Sequence, residues 1–143
     1  MESLQIKRLH PDAVLPVRAH STDAGLDLHA AEDVGIPVLG RNLVGTGIAV
    51  HLPKGYVGYI TPRSGLAASY GITVLNSPGT IDAGYTGELK VILVNHGQAP
   101  YLIQPGERIA QLTIHKVELP LVQEVNELPT SDRNTNGFGS TGQ

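Results

Sequence analysis

Apolar residues in this chain recur at every second position in several short stretches, and almost nowhere at the spacing of a helix. In NLVGTGIAVHL, Val44, Thr46, Ile48 and Val50 fall on one face of an extended strand. In RIAQLTIHKV, Ala110, Leu112 and Ile114 share a face, while Gln111 and Thr113 point the other way. GYVGYI predicts a further strand, and ELKVILVN, nearly continuous in apolar residues, predicts a buried one. The turn signals LPKG, NHGQAP and QPGE part these strands at about the 8–12-residue intervals of a sandwich or barrel. Only GLAASYG, at 65–71, predicts a short helix. After Val125 the alternation stops, and NELPTSDRNTNGFGSTGQ holds Pro129 and mostly small polar residues. The expected organisation is one β domain over residues 1–125 and an arm over residues 126–143, without internal repeats.

Composition sharpens this picture in a few places. A chain of 143 residues fits one domain, of a size that buries roughly 68–70% of its unfolded surface. Hydrophobic content of 41% and charged content of 16% are those of a globular chain, which argues against disorder throughout. The 17 glycines and 10 prolines are dispersed, as many tight turns require. A formal net charge of −3 argues against a nucleic-acid partner, because neutralising phosphates needs clustered Lys and Arg. Cysteine is absent, which excludes disulfides, thiolate metal sites and cysteine nucleophiles. The opening MESLQIKRLH lacks the apolar core of a signal peptide. No apolar run approaches the roughly 18 residues of a membrane span. A soluble cytoplasmic protein without a membrane partner is therefore expected.

Four short motifs carry possible chemistry, each with a plainer reading beside it. TIDAGYTGEL reads as a β-hairpin whose tip needs a positive φ at a glycine. Asp82, held at its strand end, is a candidate general base, with Tyr85 against a ligand; Asp and Gly also populate turns for backbone reasons alone. TPRSGLAAS sets Arg63, Ser64 and Gly65 after a strand. A guanidinium fork, a hydroxyl and an unshielded amide suit an anion, and a helix cap at Ser64 explains the same letters. DAGLDLHA carries Asp23 and Asp27 around a glycine, a turn or a metal-binding pair. GERIAQLTI puts Gln111 on the polar face of a strand. The six histidines lack metal-site spacing, and neither a phosphate-loop nor a nucleophile-elbow pattern occurs, so any hydrolysis uses activated water. The only phenylalanine, Phe138, sits in RNTNGFGSTGQ, a stretch too rich in glycine to bury it within its own chain.

In sequence order, DAGLDLHA, PRSGLA, GTIDAGYTGELKV, GERIAQL and RNTNGFGSTG resemble the five motifs of the trimeric dUTPases, and the resemblance runs from about residue 4 to the C-terminus. PRSGLA and GFGSTG are its most specific parts. It implies an all-β jelly-roll (β-clip) barrel in a homotrimer, with the C-terminal arm exchanged between subunits. Each site would take its nucleoside pocket from one chain, motifs 1, 2 and 4 from a second, and the arm from a third. It implies hydrolysis of dUTP to dUMP and pyrophosphate, with Asp82 activating water for attack on the α-phosphate. Main-chain groups from Thr80 and Ile81 through Lys90, helped by Asn76, would read uracil, and Tyr85 would pack under the sugar. Arg63, Ser64, Gly65 and Gln111 would hold the phosphates. Mg²⁺ on the triphosphate would reach Asp27 through water. Phe138 would stack on uracil, while Arg133, Gly139, Ser140 and Thr141 close on the phosphates, assisted by Gly137 and Gly142. The family's arm has glycines where Asn134 and Asn136 stand here, and Asn tolerates left-handed backbone. Two rival readings stand beside it: a dCTP deaminase, which shares the fold and needs a catalytic Glu and a different loop, and a non-catalytic trimer that binds a protein partner or senses nucleotide.

Overall fold

The computed structural model describes Met1 and residues 3–142; residues 2 and 143, at the outer limits of the expected domain and arm, lie outside the described residues. Ten strands and one helix follow in order among the described residues: β1 (Gln5–Arg8), β2 (Leu26–His29), β3 (Val34–Ile36), β4 (Arg41–His51), β5 (Tyr56–Thr61), α1 (Ser64–Tyr70), β6 (Ile72–Val74), β7 (Gly79–Ile81), β8 (Glu88–Asn95), β9 (Tyr101–Ile103) and β10 (Arg108–Lys116). All ladders are antiparallel. They form one sheet ordered β1-β4-β8-β6, a second ordered β2-β10-β5-β7, and the small pair β3-β9. The two large sheets enclose a core that includes Leu28, Ile48, Leu52, Leu89, Leu93 and Leu112. This is the all-β class that the alternation and turn spacing predict, and the jelly roll that the resemblance implies. No helix among the described residues is long and apolar enough to cross a membrane.

The alternation in β10 is as expected, with Ala110 and Leu112 fully buried and Gln111 and Thr113 half-exposed on the other face. In β4 it is not: every residue from Val44 to Val50 is buried, on both faces. The reason is a bulge. Gly45 lies opposite Lys90 and Ala49 opposite Glu88, so β4 spends extra residues between them, and Gly47 takes φ +68°. The helix falls where expected and ends on Gly71 in the left-handed conformation, where its N–H bonds Ala67 O at 3.0 Å. Its cap position is Arg63, without a side-chain cap bond, so Ser64 opens the first turn and does not cap it.

The TIDAGYTGEL segment differs from a simple hairpin. Its turn has the expected glycine, Gly84 at φ +91°, and Tyr85 N–H bonds Asp82 O at 3.1 Å. Its two arms do not pair with each other. β7 pairs with β5 in one sheet, and β8 pairs with β4 and β6 in the other. The turn therefore carries the chain between sheets.

The last strand ends at Lys116, before the expected boundary at 125. Val117 N–H bonds Gly55 O at 3.0 Å. Beyond it the described main-chain bonds are local turns between residues 131 and 142, and Leu121, Val122, Leu128 and Phe138 are exposed.

Candidate active site

Two groups of polar side chains stand out, and both depend on the β2-β10-β5-β7 sheet. In the first, Gln111 lies opposite Asp27 on one side and Thr61 on the other, so register sets all three on one face. Gln111 Nε2 donates to Pro62 O at 3.0 Å. Asp27 takes two arginines: Oδ1 is 3.6 Å from Arg63 Nε, and Oδ2 accepts from Arg108 Nη1 at 3.3 Å. Arg63 Nη1 in turn donates to Arg108 O at 3.1 Å. Ser64 and Gly65 open α1 next to Arg63, both exposed, and a Cβ at Gly65 would meet nothing within 4 Å among the described residues. A cleft of about 320 Å³ runs over Asp23, Gly25, Asp27, Thr61, Gln111 and Thr113.

Two guanidiniums converge on the Asp27 carboxylate at this end of the sheet. Its donors are already held in place, which suits a multiply charged anion. His29 lies beside them, with a buried Nδ1 that finds no hydrogen-bond partner among the described residues. Burial holds its imidazole below the usual histidine range; Asp27 pulls it up, and Arg108 and Arg63 push it down.

The second group borders the turn between sheets. Leu43, Thr80, Ile81, Asp82, Tyr85, Glu88 and Lys90 line a cleft of about 340 Å³. β7 is an edge strand, paired with β5 alone among the described residues. β6 reaches β8 only at Leu93–Asn95, so residues 88–91 have a ladder on one side alone. Two free strand edges thus border one cleft, with the Glu88 and Leu89 carbonyls already taken by side-chain hydroxyls. Asp82 is exposed at its mouth, and Tyr85 donates its hydroxyl to Glu88 O at 2.9 Å. Asn76 is exposed in the turn before β7, near Gly79, and lines neither cleft.

One chain does not bring the two groups together. Ile81 lies opposite Gly58 on β5 while Gln111 lies opposite Thr61, on the far side of that strand. Three residues along and two strand spacings across put these positions about 14 Å apart, and Asp82 lies further still. Among the described residues none lines both clefts. Arg133, Phe138, Gly139, Ser140 and Thr141 are exposed in the arm, where Arg133 Nε bonds Asn136 O at 2.9 Å. Asn134, with φ +46°, takes the left-handed conformation that a glycine would.

Reasoning from sequence passed over Arg108, although it stands in GERIAQL. An odd spacing from Gln111 puts it on the opposite face of a regular strand. A register shift between Arg108 and Ala110 brings Arg108 opposite His29 and so to the Asp27 side. Nothing in the local alternation announces such a bulge.

The geometry agrees with what the chain is similar to. The dUTPase family model matches residues 12–142. The deoxyuridine 5'-triphosphate nucleotidohydrolase of Rhodococcus erythropolis is 54% identical over 141 residues, covering 98% of this chain and 86% of that protein. Among solved structures, a mutant dUTPase of Staphylococcus bacteriophage 80alpha with dUpNHpp superposes with a TM-score of 0.92 at 32% identity, covering both chains completely. A mutant dUTPase from phage phi11 of S. aureus, described with a structural Mg(II) ion, reaches 0.84 at 30% identity, covering 90% of this chain and 100% of that one.

Proposed function

The chain belongs to the dUTPase family, and from that premise we propose that it hydrolyses dUTP to dUMP and pyrophosphate in sites shared between the subunits of a homotrimer. The separation of the two clefts carries the sharing. Each is incomplete for a nucleoside triphosphate: the turn cleft's one lining cation, Lys90, is paired with Glu88, and the sheet-end cleft has no nucleoside wall.

The turn cleft takes the nucleoside. Main-chain groups on the free edges of Thr80–Ile81 and of the arm leading to Lys90, which border the cleft, suit the uracil edge. A base with a mismatched pattern leaves buried polar groups unpaired, which costs roughly 10⁴–10⁵ in selectivity. Tyr85 packs under the sugar and leaves no room for a 2′-hydroxyl, and Asn76 helps hold the base. Asp82 orients one water and takes its proton as the water oxygen bonds the α-phosphorus. The bond from that phosphorus to the bridging oxygen breaks, and pyrophosphate leaves. General-base help of this kind supplies about 10²–10⁴ in rate.

A second subunit brings its cationic end. Arg63, Ser64, Gly65 and Gln111 hold the phosphates and offset charge developing on the bridging oxygen. Among the described residues no group of three or more His, Cys, Asp or Glu is placed to hold a metal. The single carboxylate of Asp27 fits Mg²⁺ carried on phosphate oxygens that keeps most of its waters. When bound, the ion neutralises triphosphate charge. The arm, residues 126–143, comes from a third subunit: Phe138 stacks on uracil, and Arg133, Gly139, Ser140 and Thr141 close over the phosphates. Excluding water strengthens every charge contact beneath it.

Mixing tests this directly. Asp82→Asn chains and chains lacking residues 130–143 are each nearly inactive, and together they regain activity after subunit exchange. Mixed trimers that demonstrably form and release no pyrophosphate from dUTP would sink the shared site. Release from dCTP, dTTP or UTP at the dUTP rate would sink the substrate assignment.

A further inference from the structure

Glu88 takes no part in the proposed hydrolysis, yet it joins the turn cleft to the β4 bulge. The bulge turns the Gly47 N–H away from the β4–β8 ladder, and Glu88 Oε1 accepts it at 3.0 Å. One residue on, Thr46 Oγ1 donates to Leu89 O at 2.6 Å, in a buried setting. The return arm of the turn is thus fastened to the bulge at two consecutive residues. The main-chain carbonyl of the same Glu88 accepts the Tyr85 hydroxyl at 2.9 Å. Gly87 makes the approach possible, because a Cβ there would come within 2.6 Å of the Tyr85 hydroxyl oxygen and 2.7 Å of Cζ. The ring therefore lies across the backbone of residue 87.

Tyr85 is 48% exposed, so packing does not fix its ring; its bond to Glu88 does. We propose that Glu88 is a positioning residue that sets the sugar wall of the turn cleft, its side chain gripping the bulge while its carbonyl holds Tyr85. The inference rests on the reading of Tyr85 as the wall that excludes a 2′-hydroxyl. A tether of this sort narrows selectivity more than rate. A loosened ring still covers deoxyribose but yields to ribose.

The test is the ratio of kcat/KM for dUTP over UTP, measured on the full-length protein with Mg²⁺. Glu88→Ala removes the hold on the Gly47 N–H and also the ion pair with half-exposed Lys90 at 3.6 Å. Losing a bond of ordinary net worth lowers that ratio about fivefold, chiefly through a lower KM for UTP. Glu88→Gln keeps an oxygen for the Gly47 N–H and holds the ratio within about twofold of wild type. Tyr85→Phe, which leaves the bulge untouched, lowers it in the same direction as Glu88→Ala. An unchanged ratio in a Glu88→Ala protein with wild-type melting overturns the inference. Should that variant not fold, an unchanged ratio in Tyr85→Phe overturns it equally. Tyr85→Ala separates the two layers: if it too leaves the ratio unchanged, the sugar-wall reading has failed first.

Discussion

At one end of the β2-β10-β5-β7 sheet, Asp27 is engaged by two arginines, and Gln111 is tied to Pro62. At the other, the Asp82 carboxylate is exposed and makes no hydrogen bond or ion pair among the described residues. The difference follows from the work proposed for each end. Holding a triphosphate needs several long side chains fixed before the ligand arrives, and an arginine carries about 2 kcal/mol of rotamer entropy to lose. Asp27 and the Arg108 carbonyl bear that cost in the free protein. Moving a proton needs a carboxylate with room for water and no competing donor.

The largest expected effect breaks the free end. Asp82→Asn keeps size and hydrogen-bonding reach but cannot take the proton. Its kcat for dUTP should fall at least about a hundredfold while equilibrium binding stays within about threefold. Pyrophosphate release under single turnover, together with calorimetric binding, reads both. Unchanged turnover would remove Asp82 from the chemistry.

A smaller effect tests whether the held end owes its function to order. A Cβ on Gly25 would run into Gln111 Oε1, the far end of a flexible side chain. Gly25→Ala should therefore fold normally, with melting within about 2 °C of wild type. Gln111 would swing off Pro62 O, and kcat/KM should drop about tenfold. A large loss of melting temperature with little loss of activity would mean that the glycine serves packing.

These two ends were not equally legible in the sequence. Alternation placed Gln111 on the exposed face of its strand, and the turn letters Asp-Ala-Gly placed Gly84 at positive φ. Short-range signals of this kind are encoded within a few residues. What the sequence withheld depends on register between strands far apart in the chain. The Arg108 bulge, the Gly47 bulge gripped by Glu88, and the divergence of β7 and β8 into separate sheets all arise from pairing partners. Local pattern carries no record of them. Phe138 is the opposite case: no fold signal placed it anywhere, and only the resemblance of the surrounding GFGSTG gave it a role.

The smallest effect probes how far the held end extends. Tyr101 on β9 donates its hydroxyl to Glu107 Oε1 and meets the Tyr70 ring of α1 at 4.9 Å between centroids. Partial burial, and then the bond to Glu107, pushes its hydroxyl from 10.0 up to about 12, and Arg63 acts in the opposite sense, close enough for its charge to register. The folded value lies above the unfolded one, so the stabilising contribution is fully present below pH 10 and is lost as the pH rises through about 12. Wild type should accordingly lose more melting temperature between these limits than Tyr101→Phe, in which the group is missing. Other alkaline titrations are common to both proteins and cancel in the difference. Parallel curves would show that the ordered network stops short of β9 and is confined to the Asp27 arginines.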